Sequence, residues 1–405
     1  MITGSAPTAD PVTSAAKWAV YTVFIANGFV LASWASRIPQ VRDGLGVTPA
    51  GLGLILLSAA IGSLIAMPLS GMVVTRLGEA RTVTVMALIL AAGLATVAVG
   101  SRYGVPSVVV GLFLLGFGAG TWDVAMNVQG ARVEQGLGRA IMARFHAAFS
   151  AGTVLGALVG TGMVALQVPV IVHLLAVAVL AAVLVPTAVR RFLPVVGPPS
   201  TSEQKSRRSH PLAAWIELRT VLIGLFVLCM AFTEGTGNDW LAVATIDGYR
   251  AAPALGSFAF AVFVAAMTGG RWFGPGLIDR FGRVPVLRAS ALSALVGLML
   301  VVFGHALPVA IVGAGLWGLG AALGFPTGMS AAADDPVRAA GRVSVVASIG
   351  YVAFLAGPPL IGFLGDRVGV LQALTVTAAL LAIAILIAGA CRPLAGSSTV
   401  REANE

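Results

Sequence analysis

Twelve long apolar runs follow one another along the 405-residue chain, each closed by a short polar or Gly- and Pro-containing break. Apolar residues dominate these runs, and each run is close to the roughly 20 residues that a membrane-crossing helix needs. The pattern predicts helices at 18–36, 50–74, 82–100, 105–130, 141–165, 168–189, 219–241, 253–275, 286–304, 307–331, 343–362 and 370–390. The first is predicted to end at Arg37-Ile38-Pro39, because proline disfavours helical backbone in the residue before it. The longest polar stretch, Arg190 to Arg219, holds Pro194, Pro198 and Pro199 and then Ser, Lys and Arg in quick succession. It reads as a flexible linker. The expected organisation is a six-helix half at 1–189, a linker at 190–218, a second six-helix half at 219–390 and a tail at 391–405.

Composition supports an all-α polytopic membrane protein. Hydrophobic residues make up 58% of the chain and charged residues only 10%, against about 25% charged in a soluble domain. Such a surface excludes a soluble enzyme, a disordered tail protein and a secreted disulfide scaffold. The two cysteines, Cys229 and Cys391, lie in or beside apolar segments, which argues against a disulfide framework.

The net charge of +9 reads as basic loops, not as a nucleic-acid surface. With the N-terminus inside and sides alternating, only Arg37, Arg42, Arg102, Arg250 and Arg367 fall outside, and the other 20 of the 25 basic residues fall inside. The asymmetry predicts both termini in the cytoplasm. The abundance of Arg, Ala and Gly suggests a GC-rich bacterial source, hence the inner membrane.

The chain also resembles itself. A shift of 204 residues carries Gly71–Gly78 onto Pro275–Gly282 and aligns Arg76 and Gly78 with Arg280 and Gly282. The same shift places Gly111, Gly116 and Gly120 on Gly315, Gly320 and Gly324, so the repeat is read as gapless. Two parallel six-helix repeats are the architecture of one large transporter class.

The turn Gly276-Leu277-Ile278-Asp279-Arg280-Phe281-Gly282-Arg283 resembles the loop signature of the major facilitator superfamily, although Thr75 replaces the usual acid in the first copy. Further strings resemble its MosC-like branch, distantly akin to fucose permease-type sugar transporters. They are Ala32-Ser33-Trp34-Ala35-Ser36-Arg37-Ile38-Pro39, Trp122-Asp123-Val124-Ala125-Met126-Asn127, Arg144-Phe145-His146-Ala147-Ala148-Phe149-Ser150, Glu234-Gly235 with Asp239-Trp240, and Gly357-Pro358-Pro359-Leu360-Ile361-Gly362.

Ionisable residues inside spans are costly and face protein or a water-filled cavity. Asp123, Glu234 and Asp239 qualify. Asp123 and Asn127 share a helix face and suit a polar solute or a proton; a structural hydrogen bond to a neighbouring helix is the alternative. Glu234, with Asn238 four residues on, suits proton exchange; the alternative is an acid locked to a basic partner. Arg271 is expected either to pair with a buried acid or to snorkel to the inner surface. Gly235 and Gly237 are expected to loosen that helix, as discontinuous helices do at transporter sites. Asp239 is expected at an outer gate or as an interfacial anchor.

The resemblance implies that helices 1, 4, 7 and 10 line a central cavity. This brings Asn27, Trp34 and Trp317 in as substrate-binding candidates beside Asp123, Asn127 and Asn238. It further implies gating roles for Arg76, Asp279 and Arg280. His146 is a candidate proton relay because imidazole titrates near neutral pH. Ala148, Gly152, Gly156 and Gly160 form a small-residue stripe expected to pack the two halves together.

The expectation is a secondary transporter of a small polar solute that works by alternating access, coupled to a proton gradient at Glu234, Asp123 or His146. It would be a monomer in the bilayer with no nucleic-acid partner. Proton-driven efflux of small amphipathic or toxic compounds is the alternative; a transporter-like sensor or scaffold ranks lower. No metal-ligand spacing, no nucleophile with a base and no phosphate-binding loop of ATP-driven pumps occurs, so no enzyme activity and no cofactor are expected.

Overall fold

The computed structural model describes residues 11–138, 141–194, 213–335 and 338–394. Most of the expected linker and tail lies outside these residues. Twelve helices among those described are long and apolar enough to cross a membrane. The helices are α1 (Pro11–Ala35), α2 (Ile38–Leu45), α3 (Pro49–Leu77), α4 (Glu79–Gly100), α5 (Val105–Leu137), α6 (Met142–Ala165), α7 (Val170–Ala188), α8 (Leu218–Tyr249), α9 (Pro253–Phe281), α10 (Arg283–Phe303), α11 (Leu307–Ala321), α12 (Gly324–Ala332), α13 (Ala339–Val368), α14 (Val370–Ala373) and α15 (Thr375–Ile387). Spans ten and twelve are each built from two pieces, α11 with α12 and α14 with α15.

Several helices outrun their apolar runs. α1 begins at Pro11 and α13 runs on to Val368, whereas α8 runs on to Tyr249 through residues 242–246, which are still mostly apolar. Hydropathy marks only the embedded part, whereas continuing the helix keeps backbone groups paired into the interface. α2 was not foreseen; its Pro39 sits in the first turn, where the missing N–H costs nothing.

Packing divides the chain into two compact units. One takes the described residues of Met1–Trp34, Ser58–Val159 and Val168–Pro199, the other those of Ala35–Leu57, Gly160–Gln167 and Ser200–Glu405. The segment 35–57 therefore packs with the second-half helices. Arg42 of α2 makes a two-pronged ion pair with both carboxylate oxygens of Asp247 on α8. The Ala50 N–H donates to the Asp366 carboxylate at 3.1 Å, and a Cβ at Gly53 would stand 2.4 Å from the Pro358 carbonyl oxygen. Burial by itself would lower the Arg42 pKa, but its hydrogen bonds to Asp247 and Asp43 outweigh this and raise it.

The six-helix pattern occurs twice, and helix contacts inside each unit fix its register. A Cβ at Gly93 would meet the Gly111 oxygen and Leu115 nitrogen; one at Gly297 would meet the Gly313 oxygen and Trp317 nitrogen. Gly116 lies against the Ala59 oxygen as Gly318 lies against that of Phe263, and Gly118 meets Met86 and Leu90 as Gly320 meets Ser290 and Ala294. Spans two and three thus map onto eight and nine by 204 residues, but span four maps onto span ten by 202. The gapless register is corrected: two residues fewer separate the matching contacts of spans nine and ten than those of spans three and four, so Gly111 corresponds to Gly313, not Gly315.

At one end of the first unit Glu79 pairs with Arg132 at 2.9 Å. At the corresponding positions of the second unit Arg283 pairs with Asp334 at 3.0 Å, with Arg219 also on Asp334 at 2.9 Å. The pair recurs with its charges exchanged. Nearby, Glu217 accepts from Arg342 at 2.7 Å and Arg338 at 3.1 Å.

Two members of the small-residue stripe pack inside the first unit. Gly152 and Gly156 meet the carbonyl oxygens of Ile25 and Phe29 on α1, within the first unit. Only backbone without a Cβ allows helices so close.

The register is testable. A Cβ at Gly313 would lie 2.6 Å from the Gly297 oxygen, whereas one at Gly315 has its nearest neighbour at 3.5 Å. Gly313→Ala is expected to cost about 1–3 kcal/mol and to lower the melting temperature in detergent, with Gly315→Ala close to wild type; equal effects would refute the shift. Acid stability gives a second test. The Arg342 guanidinium bonded to Glu217 holds that carboxyl below its ordinary value. Its contribution is therefore present above the unfolded pKa of about 4.3 and is lost as pH falls through the depressed folded value. Melting of wild type should fall in that acidic range, and Glu217→Gln should start lower at neutral pH and fall less.

Candidate functional site

The sharpest local feature begins with Pro326. Proline has no N–H and its ring clashes with the carbonyl four residues earlier, here Ala322. Span ten accordingly breaks between Ala321 and Gly324. The Ala322 oxygen is taken up by Arg271 of α9, whose Nε donates to it at 3.4 Å. The other end of the same guanidinium, Nη2, donates to Glu234 Oε1 of α8 at 2.6 Å. One cation thus joins three spans through a carboxylate and a freed backbone carbonyl.

The discontinuity expected at Gly235 and Gly237 is therefore corrected. α8 runs unbroken from Leu218 to Tyr249. Gly237 instead admits the Phe263 ring, whose nearest carbon would lie 2.4 Å from a Cβ there.

Most of α8 between Ile223 and Thr245 is buried. Leu225, Leu228, Glu234, Gly235, Asn238 and Asp239 remain partly accessible along one side. Carboxyls on this strip have no place in hydrocarbon, so it faces protein or water. The side chains of Glu234 and Arg271 are 18% and 30% accessible, so the pair borders open space and is not sealed. Asp239 has no ion-pair partner among the described residues.

Trp317 is fully buried; its Nε1 donates to the Thr233 oxygen at 3.2 Å and its ring lies edge-on to Phe263. It pins α11 to α8 one residue before Glu234 and offers no surface to a solute in this conformation.

In the first unit Asp123 is exposed on α5 and forms no ion pair among the described residues. Asn127 donates to the Asp123 backbone oxygen at 2.8 Å and reaches its carboxylate at 3.4 Å. Asn27 and Trp34 are buried, at 2% and 6% exposure. Asn27 Nδ2 points to the Met126 sulfur at 3.9 Å, and its Oδ1 has no hydrogen-bond partner among the described residues. His146 is exposed at the start of α6, with its ring edge-on to Phe24.

Arg76, Asp279 and Arg280 are all exposed, and the Arg280 guanidinium sits 5.0 Å from the Phe281 ring centre. Among the described residues no cluster of three or more His, Cys, Asp or Glu could hold a metal. The structure thus joins Glu234 to Arg271 and Asp123 to Asn127, and it leaves Asn238 and Asp239 on the accessible strip. The Ala322 carbonyl was not foreseen, although Pro326 four residues on is its signal.

Breaking one side of a partly buried pair leaves an uncompensated charge and is expected to cost about 3 kcal/mol, whereas neutralising both partners is much cheaper. Glu234→Gln and Arg271→Gln should each lower the melting temperature more than the double variant. If the double variant loses the sum of the two single losses, the pair does not hold the three spans.

A sequence profile described as Major Facilitator Superfamily matches residues 18–353. The uncharacterized transporter y4wD of Sinorhizobium fredii is 33% identical over 349 residues, covering 85% of this chain and 89% of that protein. The membrane protein MosC of Rhizobium meliloti is 29% identical, covering 88% and 85%. Among solved structures, the E. coli fucose:proton symporter FucP superposes with a TM-score of 0.61 at 16% identity, over 92% of this chain and 97% of that one. The profile match, which spans most of the helices, is decisive: the chain is a membrane transporter and belongs to the Major Facilitator Superfamily.

Proposed function

We propose that the protein carries a small polar solute by alternating access and couples the movement to protons, in a bacterial inner membrane with both termini cytoplasmic. The observation that carries this reading is the contrast among three carboxyls in the spans. Glu234 is neutralised by Arg271, whereas Asp123 and Asp239 have no cationic partner among the described residues. A carboxyl without a counter-ion crosses a low-dielectric region far more cheaply when protonated than when charged. Asp123, accessible and beside the Asn127 amide, takes a proton together with the solute on one side and returns it on the other. Asp239 is the second carrier in the same scheme, and Glu234 acts with Arg271 as a structural pair.

The amides of Asn127 and Asn238 supply donors and acceptors for hydroxyls or ring heteroatoms. The printed name of FucP, a fucose:proton symporter, is compatible with proton coupling on this fold. The positive-inside asymmetry supports the orientation.

The test is uptake by proteoliposomes under an imposed pH gradient, with a panel of sugars, nucleosides and small amphipathic compounds. Wild type should accumulate its solute in proportion to the gradient, and the polarity that drives accumulation gives uptake or export. Asp123→Asn should abolish gradient-driven accumulation while solute counterflow persists. Undiminished accumulation in both Asp123→Asn and Asp239→Asn would sink the coupling scheme.

A further inference from the structure

A second feature lies at the end of the first unit that the charge pattern assigns to the cytoplasm. A groove of about 440 Å³ runs between the start of α4 and the end of α7. Its walls include Leu77, Val85, Pro186 and Val189, and its rim carries Arg81 and Arg190. Both arginines are exposed, and neither forms an ion pair among the described residues. No acidic side chain lines the groove. The nearest in sequence, Glu79, is buried and already paired with Arg132.

Away from the arginines the same two helices continue into exposed apolar surface, with Val85, Leu88, Val183 and Leu184 between 37% and 60% accessible. Such a surface on a span is covered by acyl chains. An occupant that satisfies both ends has a negative head and an apolar tail.

From this charge complementarity and apolar continuity we infer that the groove between α4 and α7 binds an acidic phospholipid of the inner leaflet, with Arg81 and Arg190 clamping its phosphate. Basic pockets between spans on the cytoplasmic side hold anionic headgroups by the same physics. The site is separate from the carboxyls proposed for coupling, and it rests only on the proposed orientation. Phospholipid bound there bridges spans three and six, so it acts on their packing and not on solute recognition.

Native mass spectrometry of the full-length protein, titrated separately with phosphatidylglycerol and phosphatidylcholine, tests the assignment. Each arginine near an anionic surface contributes about five-fold in affinity, so wild type should retain phosphatidylglycerol with a preference of about thirty-fold. Arg81→Gln/Arg190→Gln should reduce the preference to near unity. Arg81→Lys/Arg190→Lys should keep most of it, and Arg102→Gln/Arg250→Gln, on the opposite end, should leave it unchanged. If the double Gln variant does not yield folded protein, each single Gln variant is expected to lose about five-fold.

Absence of a phosphatidylglycerol preference in wild type, or its survival in the Gln variants, would overturn the inference. So would equal competition by soluble glycerol phosphate, which would mark a free-anion site, or binding that emerges only after the 195–212 segment is cut, which would make the chain itself the occupant.

Discussion

The Arg271 guanidinium is the interaction on which the second unit's functional region depends. A lone charge in a span costs several kcal/mol, and a lone carbonyl released by Pro326 would add a further penalty. Arg271 offsets both at once by facing Glu234 with one nitrogen and Ala322 with another. The planar, multi-donor guanidinium suits this better than a lysine ammonium, which would act as a point charge. The bridge lets span ten remain broken without exposing backbone, and it holds the accessible strip of α8 beside that break. Buried Trp317, bonded to the carbonyl before Glu234, fixes the same neighbourhood from the other side.

The spans were legible because bilayer thickness imposes a length and a composition on every helix. Their true ends were less so: backbone pairing continues where hydropathy stops, as the extension of α13 through Asp366 and Arg367 to Val368 shows. The repeat was visible in Arg76-x-Gly78 and Arg280-x-Gly282, but its register in span four was not. A glycine-rich helix aligns with itself at several shifts, and only the backbone that each glycine touches selects one. Among the site residues, the three intramembrane carboxyls stood out because their cost is intrinsic. The packing of Asn27, Trp34 and Trp317 did not, because burial depends on neighbours distant in sequence. A basic partner for Glu234 and an acidic partner for Arg271 were each read from sequence as alternatives, but that the two meet each other is shown only by the 2.6 Å contact.

The exchanged ion pairs show what duplication conserves. Glu79 with Arg132 and Arg283 with Asp334 occupy matching places in the two repeats with opposite signs. Attraction between the start of one span and the end of the next is retained, while the residue bearing each charge is not. Coulombic attraction is indifferent to which partner is positive, so sequence identity between repeats understates their physical likeness.

The placement of residues 35–57 carries this further. Arg42 and the first turns of α3 lie in the first sequence half, yet their ion pair, hydrogen bond and closest backbone approaches are made with Asp247, Asp366 and Pro358 in the second. The unit that repeats in sequence is therefore not the unit that packs together. A gene fragment cut at the linker would encode one whole repeat, but its protein would lack a loop that the neighbouring repeat supplies.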